Sequence, residues 1–154
     1  MRILFSALVV SSMTALAAPA LAADASAEVM AAMNSFNDNM NKGDVKAAVA
    51  VCASPAFIID EFPPHTWHGK NACSDWASAL EALNKKKGDT DLWVTFSKPW
   101  HVAVEGDNAY AVIPVKLTFK ENGKPMAEDG SILTAALHKE AAGWKITAWT
   151  WSQH

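Results

Sequence analysis

The residues best suited to chemistry lie close together near the middle of the sequence. Asp60 and Glu61 interrupt the apolar run 57–62, and His65 and His68 follow shortly after it. A carboxylate in an apolar segment costs free energy unless it is exposed or partnered. If Asp60 is buried there, its pKa rises and it becomes a plausible general base. The alternative is a carboxylate at the end of a strand that points at water or accepts hydrogen bonds from loop amides.

The neighbours of Asp60 are weaker candidates. Side chains alternate along a strand, so Glu61 is expected on the opposite face, in solvent, without sharing a proton with Asp60. His65 and His68 offer nitrogen ligands for a divalent metal, but the sequence fixes no third ligand. We therefore predict no metal and no cofactor, and we interpret the two histidines as polar contacts at the mouth of a pocket.

A second cluster of informative residues is the tryptophan-rich segment at the C-terminal end. Trp144 and Ile146 share one face of a predicted strand, whereas Trp149 and Trp151 fall on the other unless a bulge intervenes. Trp144 is assigned to the core. Trp149 and Trp151 would face either a cavity or a dimer interface, and the alternation alone does not choose between them.

Two more tryptophans precede this segment. Trp67 lies in the proline-containing stretch 63–69, which we predict to be a loop, and it is the candidate for a ring at the pocket rim. Trp76 lies on the apolar stripe of a predicted helix and is assigned to the core.

The start of the sequence resembles a secretory signal peptide. Arg2 is followed by a mostly apolar stretch over 3–18 and by the small residues of Ala20-Leu21-Ala22, which suit cleavage. We predict a signal peptide over residues 1–22 and one domain over 23–154. The expected location is the periplasm or the medium, with no membrane attachment after cleavage.

Charge and cysteine content narrow the function. The chain has 13 Lys and Arg against 16 Asp and Glu, and cleavage would remove its single arginine, Arg2. Without a basic stripe, nucleic-acid binding is not expected. In an oxidising compartment Cys52 and Cys73 could form a disulfide, which we favour over two buried free thiols.

Periodicity and turn signals predict an α+β fold with helices on one face of an antiparallel sheet. Gly43 is expected to end the first helix, with Asp44 as the N-cap of the second. A hairpin is expected at Asn122-Gly123. The predicted helices cover 23–41, 45 to 51 or 52, and 71–87, and the predicted strands cover 57–62, 93–105 with a break at Pro99, 109–120, 132–139 and the segment after Gly143.

This order of elements resembles the nuclear-transport-factor-2-like superfamily, which includes ketosteroid isomerases and SnoaL-like cyclases. The resemblance rests on four segments in the family's order: Asn41-Lys42-Gly43-Asp44, Trp67-His68-Gly69, Val104-Glu105-Gly106-Asp107-Asn108-Ala109, and Gly143-Trp144-Lys145-Ile146 through Trp151-Ser152. It implies a curved sheet wrapped around three N-terminal helices as a cone, the cystatin-like barrel. It also implies a cavity at the open end and a sheet face that often forms homodimers.

The resemblance also bears on individual residues. It puts Asp60 where ketosteroid isomerases carry their proton-abstracting aspartate. Phe36 and Ala135, however, fall where those enzymes carry the groups of their oxyanion hole, whose loss should largely abolish enolisation chemistry. Tyr110 is the single tyrosine, and dehydratases of the family use tyrosine and histidine pairs.

Three functions remain open at this point. The first is binding of a small apolar or aromatic molecule in a Trp-lined cone, with Asp60 as its main polar group. The second is a lyase, isomerase or cyclase that uses Asp60 as base with His65 or His68 assisting. The third is a non-catalytic, homodimeric interaction module whose sheet face carries Trp149 and Trp151.

Overall fold

The computed structural model describes the backbone of residues 18–153 and the side chains from residue 23 onward. The predicted signal peptide, 1–22, therefore lies largely outside the described residues, as does His154. The helices are α1 (Ala18–Asn41), α2 (Val45–Val49) and α3 (Ala72–Lys87). The strands are β1 (Cys52–Ile59), β2 (Thr66–Gly69), β3 (Asp89–Phe96), β4 (His101–Glu105), β5 (Asn108–Glu121), β6 (Lys124–Glu140) and β7 (Gly143–Ser152).

Local signals place the boundary between the first two helices as predicted. Gly43 follows α1 with a φ of 76°, a left-handed conformation that glycine adopts without steric cost. Asp44 then caps α2, because its Oδ1 accepts the backbone N–H of Ala47 at 3.0 Å. In α1 the apolar stripe is directed inward, with Val29 and Met33 fully buried.

The strands form one curved, unclosed sheet in the order β2-β1-β7-β6-β5-β3, and β4 pairs with another part of β5. Helices α1 and α3 pack against this sheet, and the core lies between the two layers. The predicted α+β class and curved sheet are confirmed. All pairings are antiparallel except that of β1 with β7, which is parallel.

Two predictions about the middle of the chain are wrong. The stretch 63–69 is not all loop, because Thr66–Gly69 forms β2 and pairs with β1. The prolines end before this strand begins, so they do not interrupt its hydrogen bonds. The predicted strand 93–105 is two strands, since both β3 and β4 pair with β5 on either side of the segment 97–100.

A bulge in β7 decides the orientation of its tryptophans. The register with β6 shifts between the pair Ala136–Ala148 and the pair Leu137–Ile146, so one residue of β7 is extra. Trp144, Ile146 and Trp149 are consequently all buried on the inner side of the sheet.

A disulfide joins the start of β1 to the first turn of α3. Cys52 and Cys73 are bonded, with their Cα atoms 6.6 Å apart, so the preferred pairing is confirmed. None of the helices among residues 18–153 is long and apolar enough to span a bilayer.

Candidate functional site

A cavity of about 600 Å³ opens between α1, α3 and the inner face of the sheet. Its walls are mainly aliphatic and aromatic. The side chains that line it are Phe36, Asn37, Met40, Asn41, Asp60, Glu61, Phe62, Pro63, Trp76, Leu80, Leu83, Asn84, Lys87, Asp89, Leu92, Val94, Phe96, Leu117, Phe119, Glu128, Leu133, Trp149 and Trp151.

Three buried rings from three elements meet at this cavity. Trp76 of α3 and Trp149 of β7 stack edge to face, with centroids 4.7 Å apart and an interplanar angle of 88°. Phe36 of α1 lies 6.2 Å from Trp76 and 6.3 Å from Trp149. Edge-to-face contacts of this kind stabilise aromatic clusters beyond simple burial. Phe36 lines the cavity. Trp149 and Trp151 line it too, which is one of the two locations that the alternation left open for them.

Asp60 is the one buried carboxylate among the described residues, with 8% of its surface exposed. It follows β1 directly, at the point where the chain leaves the sheet. Its Oδ2 accepts the indole N–H of Trp76 at 2.8 Å, and its Oδ1 accepts the backbone N–H of Glu61 at 2.7 Å. These two bonds fix the carboxylate beside the aromatic cluster.

Burial dominates the acid–base behaviour of this group. Desolvation raises the pKa of Asp60, while the hydrogen bonds from Trp76 and Glu61 and the nearby charge of His65 lower it to a smaller extent. The result is a carboxyl group that holds its proton more tightly than a carboxyl in water. A group of this kind can accept or deliver a proton at the cavity.

Charged side chains at the cavity are mostly acidic. Among the side chains that the structure describes, Glu61, Asp89 and Glu128 line it together with one cation, Lys87. Burial, and then repulsion from Glu128 and Asp60, raises the pKa of Glu61, and Lys87 opposes this. Glu61 is exposed, as expected, but it also lines the cavity, which the alternation argument did not foresee because the strand ends before it.

The three predicted rim residues lie elsewhere. Trp67 is buried in β2 and packs on Phe62, with ring centroids 5.0 Å apart, so it supports the cavity wall from behind. His68 stacks on Phe57 on the outer side of the sheet. The Nδ1 of His65 lies 3.2 Å from the backbone oxygen of Asp60. None of the three is a lining residue.

Trp76 is the site residue that sequence reasoning missed. Its place on the apolar stripe of α3 indicated a core ring, and it is indeed buried. The stripe alone gave no acceptor for its N–H. A buried indole N–H usually has a hydrogen-bond partner. A buried Trp76 and a buried Asp60 could therefore have been expected to bond to each other, and this was the signal that the sequence offered.

Two asparagines of α1 form hydrogen bonds to β3 across the cavity wall. Asn41 Nδ2 donates to the backbone oxygen of Val94 at 2.8 Å, and its Oδ1 accepts the backbone N–H of Val94 at 2.8 Å. Asn37 Nδ2 donates to the same oxygen at 3.0 Å. Together these bonds hold the end of α1 against β3.

The residues present limit the chemistry of the site. Among the described residues, no cluster of three or more His, Cys, Asp or Glu side chains is placed to hold a metal ion. Tyr110 is exposed on β5, where it alternates with the inward residues Ala109 and Ala111. No phenol therefore faces Asp60 in the cavity, and the nearby ring from α1 is that of Phe36.

Solved structures share this architecture. An NTF2-like protein with a cystatin-like fold from Novosphingobium aromaticivorans is 17% identical, with a TM-score of 0.72, covering 91% of this chain and 90% of that one. An NTF2-like superfamily protein from Salmonella enterica is 17% identical, with a TM-score of 0.70 and coverages of 84% and 91%. A ketosteroid isomerase-like protein from Erwinia carotovora is 16% identical, with a TM-score of 0.63 and coverages of 82% and 93%.

The similarity at the level of sequence is to a family rather than to one protein. No curated protein matches the chain. The model of the SnoaL-like domain matches residues 29–154, which include all of the cavity-lining residues. The chain therefore belongs to the SnoaL-like domain family of the NTF2-like superfamily.

Proposed function

We propose that this SnoaL-like domain binds a small apolar or aromatic molecule in its cavity, with Asp60 as the main polar contact. The carrying observation is the buried Asp60 carboxylate beside three aromatic rings in a cavity of about 600 Å³. Ligand pockets of this size are typically apolar, with a few fixed polar groups that orient the ligand. Phe36, Trp76, Trp149 and Trp151 would supply the apolar contact area.

Asp60 is suited to orient a ligand because hydrogen bonds fix its position and its carboxylate oxygens can still accept further hydrogen bonds. Each carboxylate oxygen has two lone pairs, and each accepts one hydrogen bond from the protein. A ligand N–H or O–H that reaches the carboxylate would thus add a bond without displacing Trp76. We expect ligands that combine an aromatic body with one such donor.

N-phenyl-1-naphthylamine is a suitable probe, since it is neutral, aromatic, carries one N–H and fluoresces strongly in apolar surroundings. We expect it to bind the protein, and Asp60→Asn to weaken binding and change its pH dependence. Asp38→Asn is the matched control, because Asp38 is exposed on α1 and does not line the cavity. Unchanged affinity and pH dependence in Asp60→Asn would remove Asp60 from the proposal.

A second candidate function is a lyase, isomerase or cyclase in which Asp60 is the general base. The observation in its favour is the raised pKa of Asp60, caused chiefly by burial, at the wall of a ligand-sized cavity. We place it second because Phe36, which by resemblance occupies the position of an oxyanion-hole group, offers no hydrogen-bond donor to a developing oxyanion.

Proton exchange distinguishes the base from the binder. Native mass spectrometry of protein secreted by its own signal sequence would give the mass of any molecule carried in the cavity. If Asp60 is a base, the wild-type protein should catalyse exchange of an acidic C–H of that molecule in D₂O, and Asp60→Asn should not. Equal exchange with both proteins, or with neither, would contradict catalysis by Asp60.

We also propose that two copies associate through the outer face of the sheet. Two outward rows cross five strands in register, Phe57–Ala148–Ala136–Tyr110–Ala103 and Ile59–Thr150–Thr134–Val112–His101. Neither row contains Lys, Arg, Asp or Glu, so two copies of a net acidic chain can meet there without repulsion. Phe57, Ile59 and Tyr110 remain 43–45% exposed in the single copy.

This contact differs from the interaction face considered in the sequence analysis, which was to carry Trp149 and Trp151. Both tryptophans line the cavity instead. Ala136→Glu should convert the dimer to a monomer in sedimentation velocity, since it places a charge at the centre of the symmetric contact. Glu105→Gln, at the end of β4 and outside both rows, is the control. A monomeric wild-type protein, or a dimer that survives Ala136→Glu, would contradict this contact.

The disulfide supports export as a further part of the proposal, because such bonds persist in oxidising compartments. We propose cleavage after Ala22 and release into the periplasm or the medium. The denatured mass of the secreted protein should correspond to a chain that begins at Ala23. A mass that retains residues 1–22 would contradict it.

A further inference from the structure

Resting on the proposed ligand-binding function, we infer that the preferred ligand of this cavity is an organic cation, an aromatic or alkyl ammonium compound. The inference comes from the charges around the cavity and from the arrangement of its rings. It names a chemical class of ligand, whereas the proposal above requires only an apolar body with a hydrogen-bond donor.

The buried Asp60 carboxylate makes no ion pair with the described part of the protein, because His65, whose charge acts on it from nearby, contacts the backbone oxygen of Asp60 and not its carboxylate. No ion pair involving Asp60 is present among the described residues, and its two hydrogen-bond donors, Trp76 and Glu61, are both uncharged N–H groups. Buried carboxylates are normally paired with a cation, because the removal of an isolated charge from water is unfavourable. A ligand ammonium would supply the missing partner.

The rest of the cavity is also acidic. Within the described part of the chain, Glu61, Asp89 and Glu128 line it with one cation, Lys87. One oxygen of Asp89 is buried without a hydrogen-bond donor among the described residues. An anionic ligand would meet four carboxylates and one ammonium, so this cavity disfavours carboxylates and phosphates and favours cations.

The ring cluster at the cavity also suits a cation. Cations bind over the faces of aromatic rings, and tryptophan is the strongest such partner. Trp76 and Trp149 stand perpendicular to each other at the cavity, with Phe36 nearby. The indole N–H of Trp76 donates to the Asp60 carboxylate, which polarises the ring toward greater negative charge on its face.

Three probes that share one aromatic body test the inference: naphthalen-2-ylmethylammonium, naphthalen-2-ylmethanol and naphthalene-2-carboxylate. By calorimetry on the secreted protein, we expect the ammonium to bind at least about tenfold more tightly than the alcohol, as for a charge-assisted contact. The carboxylate should bind most weakly. Added salt should weaken the preference for the ammonium over the alcohol, because it screens the attraction between the ammonium and the exposed carboxylates at the cavity.

Variants assign the preference to the named carboxylates. Asp60→Asn should remove most of the difference between ammonium and alcohol, and Glu61→Gln with Glu128→Gln should reduce it further. Glu81→Gln is the matched control, since Glu81 is exposed on α3 and does not line the cavity. Equal loss of preference in Glu81→Gln would mean that overall charge, not the cavity, selects the cation.

The binding data distinguish a cation-selective cavity from an aromatic-binding cavity without charge selection. If the alcohol binds as tightly as the ammonium, the inference of a cationic ligand is overturned while the binding function stands. If Asp60→Asn keeps the full preference, the inference is also overturned. If none of the three binds at millimolar concentration, both the inference and the proposed function fail.

Discussion

At the scale of single residues, the hydrogen bond between Trp76 and Asp60 is the contact on which the site depends. It joins the ring cluster to the buried carboxylate of Asp60, at 2.8 Å. Trp149 provides a natural comparison, because its indole N–H is buried without an acceptor among the described residues. The two tryptophans therefore differ in one hydrogen bond while sharing the same cluster.

Trp76→Phe should raise the pKa of Asp60 further, because the lost N–H donor lowers that pKa in the native protein. It should also destabilise the fold by about 2 kcal/mol, the scale of a hydrogen bond to a charged group. Carbon-13 NMR titration of the aspartate carboxyl groups measures the first effect, and urea unfolding the second.

Trp149→Phe is the control for this substitution, as it removes a similar volume but no hydrogen bond to Asp60. Its Asp60 titration should match that of the wild type. If both variants shift the pKa of Asp60 equally, the effect comes from ring volume and not from the indole N–H.

The pH dependence of stability follows from the direction of the Asp60 shift. Burial raises its pKa in the folded state, so the native protein binds this proton more tightly than the unfolded chain does. The contribution of Asp60 to stability is complete below its unfolded pKa of about 4 and is lost as pH rises through the folded value.

The free energy of unfolding of the wild type should therefore fall with pH relative to that of Asp60→Asn. Urea titrations of both proteins between acidic and neutral pH measure this difference, and the raised pKa of Glu61 largely cancels because both proteins carry it. Parallel curves for the two proteins would show that Asp60 titrates as it does in the unfolded chain.

Sequence reasoning at this scale identified Asp60 because a carboxylate in an apolar run is unusual in itself. It did not place Trp67, His65 and His68, because the short strand β2 turns Trp67 inward and His68 outward. A strand of four residues after two prolines is too short to show a recognisable alternation of apolar and polar side chains. We therefore predicted a loop there and assigned all three residues to the pocket rim, which they do not line.

At the scale of elements, the disulfide fixes the helix that carries Trp76. Cys73 lies in the first turn of α3, one turn before Trp76, and bonds to Cys52 in β1. Replacing both cysteines by alanine should lower the free energy of unfolding by about 3 kcal/mol, from the chain entropy of a loop of this length. Urea unfolding measures this loss.

Treatment with a reductant is the control for the disulfide. It should destabilise the wild type by a similar amount and leave the Cys52→Ala, Cys73→Ala protein unchanged. A reductant that has no effect on the wild type would show that the bond contributes nothing to its stability.

A second prediction for elements concerns the contact between α1 and β3. Asn41→Ala removes the acceptor of the Val94 N–H in a partly buried place, while Asn37 still donates to the Val94 oxygen. We expect a loss of about 1–2 kcal/mol in unfolding free energy. Asn39→Ala, which removes only a long, exposed bond of 3.4 Å to Ser35, should be nearly neutral, and equal effects would contradict a specific role for Asn41.

The elements themselves were predicted well where their signals are local. Gly43 and Asp44 mark the junction of α1 and α2, and Asn122-Gly123 joins β5 to β6 as expected. The bulge in β7 was not predictable, because it depends on register with β6 and not on the sequence of β7 alone. That one extra residue puts Trp149 and Trp151 in the cavity.

At the scale of the whole molecule, the order of motifs was sufficient to predict the fold but not the ligand. Hydrophobic periodicity reports which face of an element is buried, and the family resemblance supplied the curvature of the sheet. The cavity combines side chains from α1, α3, the segment after β1 and the four strands β3, β5, β6 and β7. Its charge balance therefore became visible only when these elements were brought together.

The central claim is that an aromatic ligand enters this cavity beside Asp60. The indole N–H signals in a ¹⁵N–¹H NMR spectrum test it most directly, because the tryptophans divide by location: Trp76, Trp149 and Trp151 line the cavity, whereas Trp93 and Trp100 are 51% and 66% exposed outside it. Addition of N-phenyl-1-naphthylamine should shift the signals of Trp76, Trp149 and Trp151 and leave those of Trp93 and Trp100 in place. Shifts confined to Trp93 and Trp100, or no shifts at saturating probe, would contradict the claim.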